Sequence, residues 1–429
     1  TLLLGEAAED TADDRAAVVA DPHVATLVAG LRAPGDEDTS EHHSPTFPPN
    51  RLNLLADLGI GPGDAPAVEM LLDRLLEQQD RSGRFQSSGQ APGRPRPEQG
   101  ALLCDTNAIT DVVLRFGRGD DPRVARALKR MGQDSSATEQ GYGWRCIPQK
   151  TLLFRGAARV TDTCPQVTLE GLRAFSQVAE ELRPEWIIEA ARTPLEIWRR
   201  RVSERPYEFG HGYQFKSVKW PNFWYDVLWV LETVSRFPRL WSGPGAREED
   251  RRALAEMAAC LIAYNFDRGG RVTPQRVYRG FEDFSFGRKL APSPFATARA
   301  LVPLQRLRDL AGEIARIDVE DLPSSTGGSG VAVPPRRQPR ACPTPTWVPH
   351  FAAERAVPRV LARHHIGTPH VPASIESIVA EVAALHSTFP STPYLALAAR
   401  LPGFTRERFD AALYERRSLA RIRCMRGSV

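Results

Sequence analysis

One group of side chains that could do chemistry stands near the starts of apolar segments of the sequence. It combines acids, hydroxyls and a thiol with aromatic and basic residues. Its members are Asp105, Thr163, Cys164, His211, Tyr213, Trp220, Trp224, Tyr225, Asp226, Arg279 and Phe281. Asp and Thr often cap helices, and converging helix N-termini attract anions. The group therefore predicts a cavity for an apolar molecule with an anionic head. The alternative is that the acids are only caps and the aromatic residues are core.

A second group is formed by arginines near the C-terminal end. Residues 354–429 hold eleven Arg, no Lys and six acids, a net charge of +5 in a chain of +4. Guanidinium groups suit two-point contact with phosphate, so this excess predicts contacts to DNA. The candidate residues are Arg406, Arg408, Arg416, Arg417, Arg421, Arg423 and Arg426. The alternative is a solvated helical surface.

Composition excludes several classes of protein. The sequence is 42% hydrophobic and 25% charged, which is ordinary for a globular chain. Its six cysteines include no CxxC pair, which argues against a zinc ribbon or a disulfide framework and favours a reducing cytoplasm. We predict no metal site and no cofactor. A membrane span needs about 18 apolar residues in a row, and no such stretch occurs.

Five apolar segments, each ending near Gly or Pro, are predicted to be buried helices. They begin 56, 60, 58 and 70 residues apart, at 52–59, 108–117, 168–178, 226–238 and 296–310. Longer amphipathic stretches lie between them, at 66–79, 122–131, 184–201 and 248–266. This alternation predicts inner helices sheathed by outer ones. The predicted fold is all-α, an α/α toroid of about five to six helix pairs, without a strand pattern long enough for a sheet.

The chain is predicted to have three parts. The toroid takes residues 1–322, and a flexible linker rich in Pro, Gly, Ser and Arg takes residues 323–345. Residues 346–429 are predicted to form a small helical segment, with helices near 352–364, 375–386, 393–399 and 406–415.

The first part resembles the prenyltransferase and terpenoid-cyclase superfamily over residues 15–322. The resemblance is carried by the period of the helix pairs and by the turn Gln78-Gln-Asp-Arg-Ser-Gly-Arg-Phe, which recurs as Asn265-Phe-Asp-Arg-Gly-Gly-Arg-Val. It implies an α/α toroid whose cavity binds isoprenoids. The DxDD acid motif is absent, and Cys104-Asp105 with His211 does not match the spacing of the family's zinc ligands. The reaction is therefore left open.

The last part resembles the start of the winged-helix DNA glycosylases that act on alkylated and crosslinked DNA. The resemblance is carried by the run from Val379 to Arg400 and by Phe409-Asp-Ala-Ala-Leu-Tyr-Glu-Arg-Arg. The family has a Gln-x-Gln or His-x-Gln motif where this chain reads His386-Ser387-Thr388. The resemblance implies catalytic roles for His386 and Thr388, although a hydroxyl reaches less far than an amide. Further winged-helix repeats would follow Val429, so we expect an incomplete winged-helix segment.

Three functions stay open at this stage. The first is a DNA-binding, DNA-repair-associated protein whose glycosylase activity is unsettled. The second is an enzyme or binding protein for an isoprenoid or other apolar anion. The third is a non-catalytic scaffold that binds other proteins.

Overall fold

The computed structural model describes residues 12–31, 44–89, 98–149, 159–204, 206, 209–210, 212–323, 374–381, 392–398 and 400–419. The chain divides into two compact units, Thr1–Pro345 and Thr346–Val429, which we call unit 1 and unit 2. The predicted linker lies outside the described residues from position 324 onwards.

The chain is mostly helical, as predicted. The helices of unit 1 are α1 (Ala12–Val19), α2 (Pro22–Ala29), α3 (Pro48–Asp57), α4 (Pro66–Glu77), α5 (Leu103–Arg115), α6 (Pro122–Asp134), α7 (Pro165–Ser176), α8 (Trp186–Arg199), α9 (Gly212–Lys216), α10 (Val227–Val234), α11 (Glu248–Asn265), α12 (Pro294–Arg306) and α13 (Ala311–Ile314). Proline occupies the first turn of α3, α4, α6, α7 and α12. Its fixed φ and missing N–H suit that position.

Strands are short and occur in pairs in the described part of the chain. β1 (Ser87–Gly89) pairs antiparallel with β2 (Glu98–Gly100), and β3 (Ser136–Thr138) with β4 (Gly141–Gly143). β5 (Lys219–Trp220) and β6 (Arg276–Val277) form a two-residue parallel pair. These pairs connect helices and build no extended sheet.

Five helices of unit 1 pack one after another along the chain. α3 packs on α5, α5 on α7, α7 on α10, and α10 on α12. Residues 103–113 of α5 and 165–175 of α7 are buried on every side, including their polar members. We call α3, α5, α7, α10 and α12 the inner helices.

Of the other long helices, α4 and α6 bury a single face, as predicted. The prediction is wrong for α8 and α11, because residues 190–195 of α8 and 253–261 of α11 are buried on every side. α4 is buried along Val68, Leu71, Leu72, Leu75 and Leu76, which is the predicted stripe at helical spacing. α6 packs on α5, α8 on α7, and α11 on α10, while α8, α11 and α13 contact one another in succession. Thus α5, α7 and α10 each pack against one further long helix, α6, α8 and α11 respectively.

The turn after α4 has the same geometry as the turn after α11. The carboxylate of Asp80 accepts hydrogen bonds from the N–H groups of Ser82 and Arg84, at 2.8 and 3.1 Å. Asp267 accepts from the N–H groups of Gly269 and Arg271, at 2.7 and 3.0 Å. Gly83 and Gly270 have φ of 92° and 71°, where a side chain would be strained. The recurrence predicted from the sequence is confirmed at these two turns.

Unit 2 is built from three described helices, α14 (Ile375–Glu381), α15 (Thr392–Ala398) and α16 (Arg406–Asp410). Their core consists of Ile375, Ile378, Leu397, Leu401 and Phe409. α16 continues directly into a wider helical turn, Ala411–Glu415. None of the helices described in either unit is long and apolar enough to cross a membrane.

Candidate functional site

Four of the predicted DNA-contacting arginines lie on the described surface of unit 2. Arg406, Arg408, Arg416 and Arg417 are all exposed. Arg406 lies 3.5 Å from Asp410, and Arg416 lies 3.3 Å from Glu376. Arg408 donates to the carbonyl of Gly403 at 3.0 Å. Exposed ion pairs are worth about 1 kcal/mol or less, so a phosphate can replace these carboxylates.

Glu376 connects α14 to the chain that follows α16. Its Oε1 accepts from the hydroxyl of Ser418 at 2.7 Å and from Nη2 of Arg416 at 3.3 Å. These hydrogen bonds, with that of Ser418 the stronger, lower the pKa of Glu376 to about 2. The carboxylate is therefore ionised at all physiological pH values and holds Arg416 in place.

The other predicted residues of this segment cannot be placed. The catalytic candidates His386 and Thr388 lie outside the described residues, as do Arg421, Arg423 and Arg426. Their roles stay predictions.

Two of the predicted cavity residues lie near the starts of α5 and α7, which pack against each other. Asp105 is fully buried, and the thiol of Cys104 donates to its Oδ1 at 3.6 Å. Cys164 is buried at the start of α7. A hydrogen bond with Cys146, and then burial, raises the pKa of Cys164 well above its ordinary value. This thiol is protonated at neutral pH and is a poor nucleophile.

Thr163 belongs to a polar cluster beside these cysteines. Its hydroxyl lies 2.5 Å from that of Thr138, and its N–H donates to the Gln140 amide oxygen at 2.9 Å. The cluster ties the start of α7 to the β3–β4 pair. His211 and the side chain of Tyr213 lie outside the described residues.

Asp226 is the N-cap of α10, as its sequence position suggests. Its Oδ1 accepts from the N–H groups of Leu228 and Trp229, both at 3.0 Å. The amide of Asn222 donates to both carboxylate oxygens at 2.8 Å. Burial raises the pKa of Asp226 to about 7, and these hydrogen bonds oppose the rise. A carboxyl group that titrates near neutrality can accept or release a proton.

The predicted aromatic wall is part of the packed core. Trp220 and Phe281 are 1% and 4% exposed. Phe281 contacts Phe223 edge-on at 5.7 Å, and Tyr225 stacks on Phe209 at 5.9 Å and lies 5.0 Å from Trp224. Arg279 is exposed. These aromatic residues thus pack against one another, and a role for them in ligand binding stays a prediction.

A belt of ion pairs, which sequence reasoning missed, joins the inner helices. Arg115 of α5 pairs with Asp57 of α3, and Arg173 of α7 lies 3.2 Å from Asp111 of α5. Arg173 also lies 3.9 Å from Glu232 of α10. Glu232 in turn lies 2.7 Å from Arg299 of α12, and Arg299 lies 3.0 Å from Asp57. The pairs pass through all five inner helices and return to α3.

The buried charged side chains of this belt are each paired with a side chain of opposite charge. Arg173 and Glu232 are 4% and 3% exposed. Burial alone would raise the pKa of Asp57, but Arg115 and Arg299 hold it below its ordinary value. Buried charges persist only where they are paired.

Further arginines cap the carbonyl ends of the inner helices. Arg236 and Arg306 both donate to the carbonyl of Glu232 at 3.3 Å, and Arg183 donates to the carbonyl of Ser176 at 2.7 Å. A helix C-terminus carries partial negative charge, which these cations offset. The arginines therefore have a structural explanation without an anionic ligand.

A small cavity lies beside the belt. Its lining includes Trp220, Phe295 and Arg299 together with Arg173, Trp229 and Asn222. Arg173 Nη1, Trp229 Nε1 and Asn222 Oδ1 have no hydrogen-bond partner among the described residues. The cavity holds about 10 Å³, enough for one polar molecule the size of water.

A larger groove of about 430 Å³ is open at the surface of unit 1. It is lined by Glu185, Ile188, Glu189, Arg192, Arg239, Pro244, Gly245, Ala246 and Arg247. Arg192 is fixed there by Asp250 at 3.0 Å and by the carbonyl of Gly245 at 2.7 Å.

Over the parts of both units that the structure describes, no three His, Cys, Asp or Glu side chains are grouped so that they could hold a metal ion.

Comparison with known proteins gives one family match. No curated protein sequence matches the chain. A solved structure described as the crystal structure of a protein from Actinoplanes aligns with 70% of this chain and 80% of its own, at 15% identity and a TM-score of 0.35. A score this low carries no argument about fold or function. Residues 379–429 match the family model described as DNA glycosylase AlkZ-like. The C-terminal segment is therefore similar to the AlkZ-like DNA glycosylases, which confirms that part of the predicted resemblance.

Proposed function

We propose that this protein binds DNA through unit 2, in a role associated with DNA repair. The observation that carries the proposal is the match of residues 379–429 to the AlkZ-like DNA glycosylases. The exposed Arg406, Arg408, Arg416 and Arg417 support it, because each has a guanidinium that a phosphate can reach.

Catalysis by unit 2 is a separate proposal. A glycosylase expels a base from the stack and hydrolyses its glycosidic bond. His386 is the candidate that positions water or steadies charge at the sugar, and Thr388 is the second catalytic candidate. Release of an alkylated base by the full chain, and its loss in His386→Ala, tests this role independently of DNA binding.

For unit 1 we propose a closed α/α toroid built around the five inner helices. The succession of inner-helix contacts supports it, and so does the return of the ion-pair belt from Arg299 to Asp57. An isoprenoid site needs about 300 Å³ or more, whereas the cavity beside the belt holds about 10 Å³. The small size of the cavity beside the belt supports a non-catalytic scaffold rather than an isoprenoid enzyme, and the open groove near Arg192 suits a polar segment of a partner protein.

The test of DNA binding uses the full chain and a fluorescent duplex, intact or alkylated, over a salt series. We expect tight binding at low salt, with log affinity falling against log salt by about 0.9 for each phosphate contacted. Replacing both Arg408 and Arg417 by Gln should reduce that slope by about 2. The matched control Arg239→Gln changes an exposed arginine of unit 1 and should leave the salt slope unchanged. Undetectable binding at low salt would overturn the proposal.

A further inference from the structure

Tyr414 is a large aromatic side chain that unit 2 leaves in solvent. It is 69% exposed and lies in the helical turn Ala411–Glu415. Burying an aromatic ring stabilises a fold by a large amount, so a ring left exposed contributes little to stability. Exposed aromatic rings next to arginines are typical of surfaces that bind unpaired nucleobases.

The backbone around Tyr414 has an unusual shape. The N–H of Arg416 donates to the carbonyl of Ala411 at 2.7 Å, five residues back, so the turn is π-helical. Arg417 follows with φ of 51°, in the left-handed region. The Ser418 hydroxyl, bonded to Glu376, fixes the exit of the turn. Wide turns and left-handed non-glycine residues concentrate at functional sites.

The neighbours of Tyr414 leave its ring free for a ligand. Tyr394 is held by Asp410, which accepts its hydroxyl hydrogen bond at 2.6 Å, and by the edge of Phe409 at 4.9 Å. The guanidinium of Arg406 lies 5.8 Å from the Tyr394 ring. No such ring contact is found for Tyr414 among the residues described in unit 2. Its surroundings therefore combine a fixed aromatic ring, a free one and an exposed arginine.

Stacking on a base would add to the contacts that arginines make with phosphate. Residues 354–429 carry a net charge of +5, but contacts to phosphate do not distinguish a paired from an unpaired nucleotide. Stacking supplies affinity that does not depend on charge and that needs an exposed base face.

Resting on the proposed function, we propose that Tyr414 stacks on an unpaired nucleobase and makes unit 2 selective for DNA with an unpaired nucleotide. Arg417 and Arg406, on either side of it along the chain, contact the flanking phosphates. In a paired duplex the faces of the bases are covered by their neighbours, so this contact is available only where one nucleotide has left the stack.

The test compares two duplexes that differ by one unpaired nucleotide, bound to the full chain at low salt. We expect the duplex with the unpaired nucleotide to bind about 5- to 100-fold more tightly. Tyr414→Ala should remove that preference and leave affinity for the paired duplex unchanged, whereas Tyr414→Trp should retain it. Leu182→Ala, which changes a 73% exposed side chain of unit 1, should alter neither affinity.

The outcomes separate this inference from the function on which it rests. Equal affinity of the wild type for both duplexes, or an equal loss on both in Tyr414→Ala, would overturn the stacking role and leave DNA binding intact. Binding of neither duplex at low salt would overturn the proposed function, and the stacking role with it. Because Tyr414 is exposed and Ala favours helix, thermal unfolding of Tyr414→Ala should match that of the wild type.

Discussion

Arg299 and Asp57 form an ion pair at 3.0 Å that joins the last of the five inner helices to the first. The two residues are separated by most of unit 1 in sequence. Arg299 also contacts Glu232 on α10 at 2.7 Å, and Asp57 also pairs with Arg115 on α5. Each of the two residues therefore pairs with residues of two other inner helices. The Arg299–Asp57 pair closes a series of ion pairs that passes through every inner helix.

Replacing Arg299 by Met should destabilise unit 1. Met fills much of the same space, but it leaves Asp57 and Glu232 with one cation fewer in a largely buried setting. Removing one partner of a buried pair costs several kcal/mol, and the remaining arginines offset part of that, so we expect a loss of about 2 to 4 kcal/mol. Urea unfolding followed by circular dichroism measures it.

The control for Arg299→Met is Arg308→Met, which removes an exposed arginine from the same region of the chain. It should change stability by less than about 0.5 kcal/mol. Equal effects of the two substitutions would contradict a structural role for the Arg299–Asp57 pair.

The sequence carries a signal for this belt. Asp57, Arg115, Arg173, Glu232 and Arg299 recur at intervals of 58, 58, 59 and 67 residues, close to the intervals between the predicted inner helices. A charged residue at the same place in each apolar segment indicates a buried network, because an unpaired charge there would be costly. Helix type, the buried stripe of α4 and the repeated turn could be predicted because they depend on local spacing. The pairing of charges could not, since it depends on which helices meet.

Gly171 lies where α7 closely approaches Trp144 and the Asn107 side chain of α5. A Cβ at this position would lie 2.8 Å from the Trp144 ring and 3.0 Å from the Asn107 side chain. Gly171→Ala should therefore force these groups apart and destabilise the protein by about 1 to 3 kcal/mol. The matched substitution Gly312→Ala, in α13, meets nothing within 4 Å. It should leave stability unchanged or raise it by up to about 1 kcal/mol. Similar thermal unfolding of the two variants would contradict the close approach.

Asp226→Asn should make stability less dependent on pH. The pKa of Asp226 is raised to about 7, above its unfolded value of about 4. The protonated Asp226 side chain therefore contributes its full share of folding stability below about pH 4. That contribution is lost as the pH rises to about 7 and the carboxyl group ionises. Asn keeps the cap but has no charge. The variant should match the wild type near pH 4 and exceed it by up to about 4 kcal/mol at pH 8.

Urea unfolding of wild type and Asp226→Asn at pH 5, 6, 7 and 8 checks this expectation. The difference in the free energy of unfolding should grow up to about pH 7 and then level off. Asp226→Ala, which loses the cap to the N–H groups of Leu228 and Trp229, should be about 1 kcal/mol less stable than Asp226→Asn at every pH. A difference between wild type and Asp226→Asn that does not change with pH would contradict the raised pKa.

On the surface of unit 2, the sequence predicts the arginines but not their contacts or backbone geometry. The count of arginines could be read from the sequence, but the partners of Arg406 and Arg416 could not. Glu376 is 40 residues before Arg416, and only the packing of α14 beside the turn brings the two together. The left-handed φ of Arg417 likewise has no marker in the sequence, since the residue is neither Gly nor Asn.

Glu376→Gln should strengthen DNA binding. The substitution removes the carboxylate that competes with phosphate for Arg416, while the amide oxygen still accepts the hydrogen bond from Ser418. An exposed ion pair is worth up to about 1 kcal/mol, so the affinity for a paired duplex should rise by up to about fivefold. Glu407→Gln is the matched control, because it makes the same change in net charge at an exposed position with no ion pair to an arginine among the residues described in unit 2. Fluorescence anisotropy at low salt should show a larger gain for Glu376→Gln. Equal gains would mean that Arg416 contacts no phosphate, and a loss would mean that Glu376 is needed to hold the turn in its binding shape.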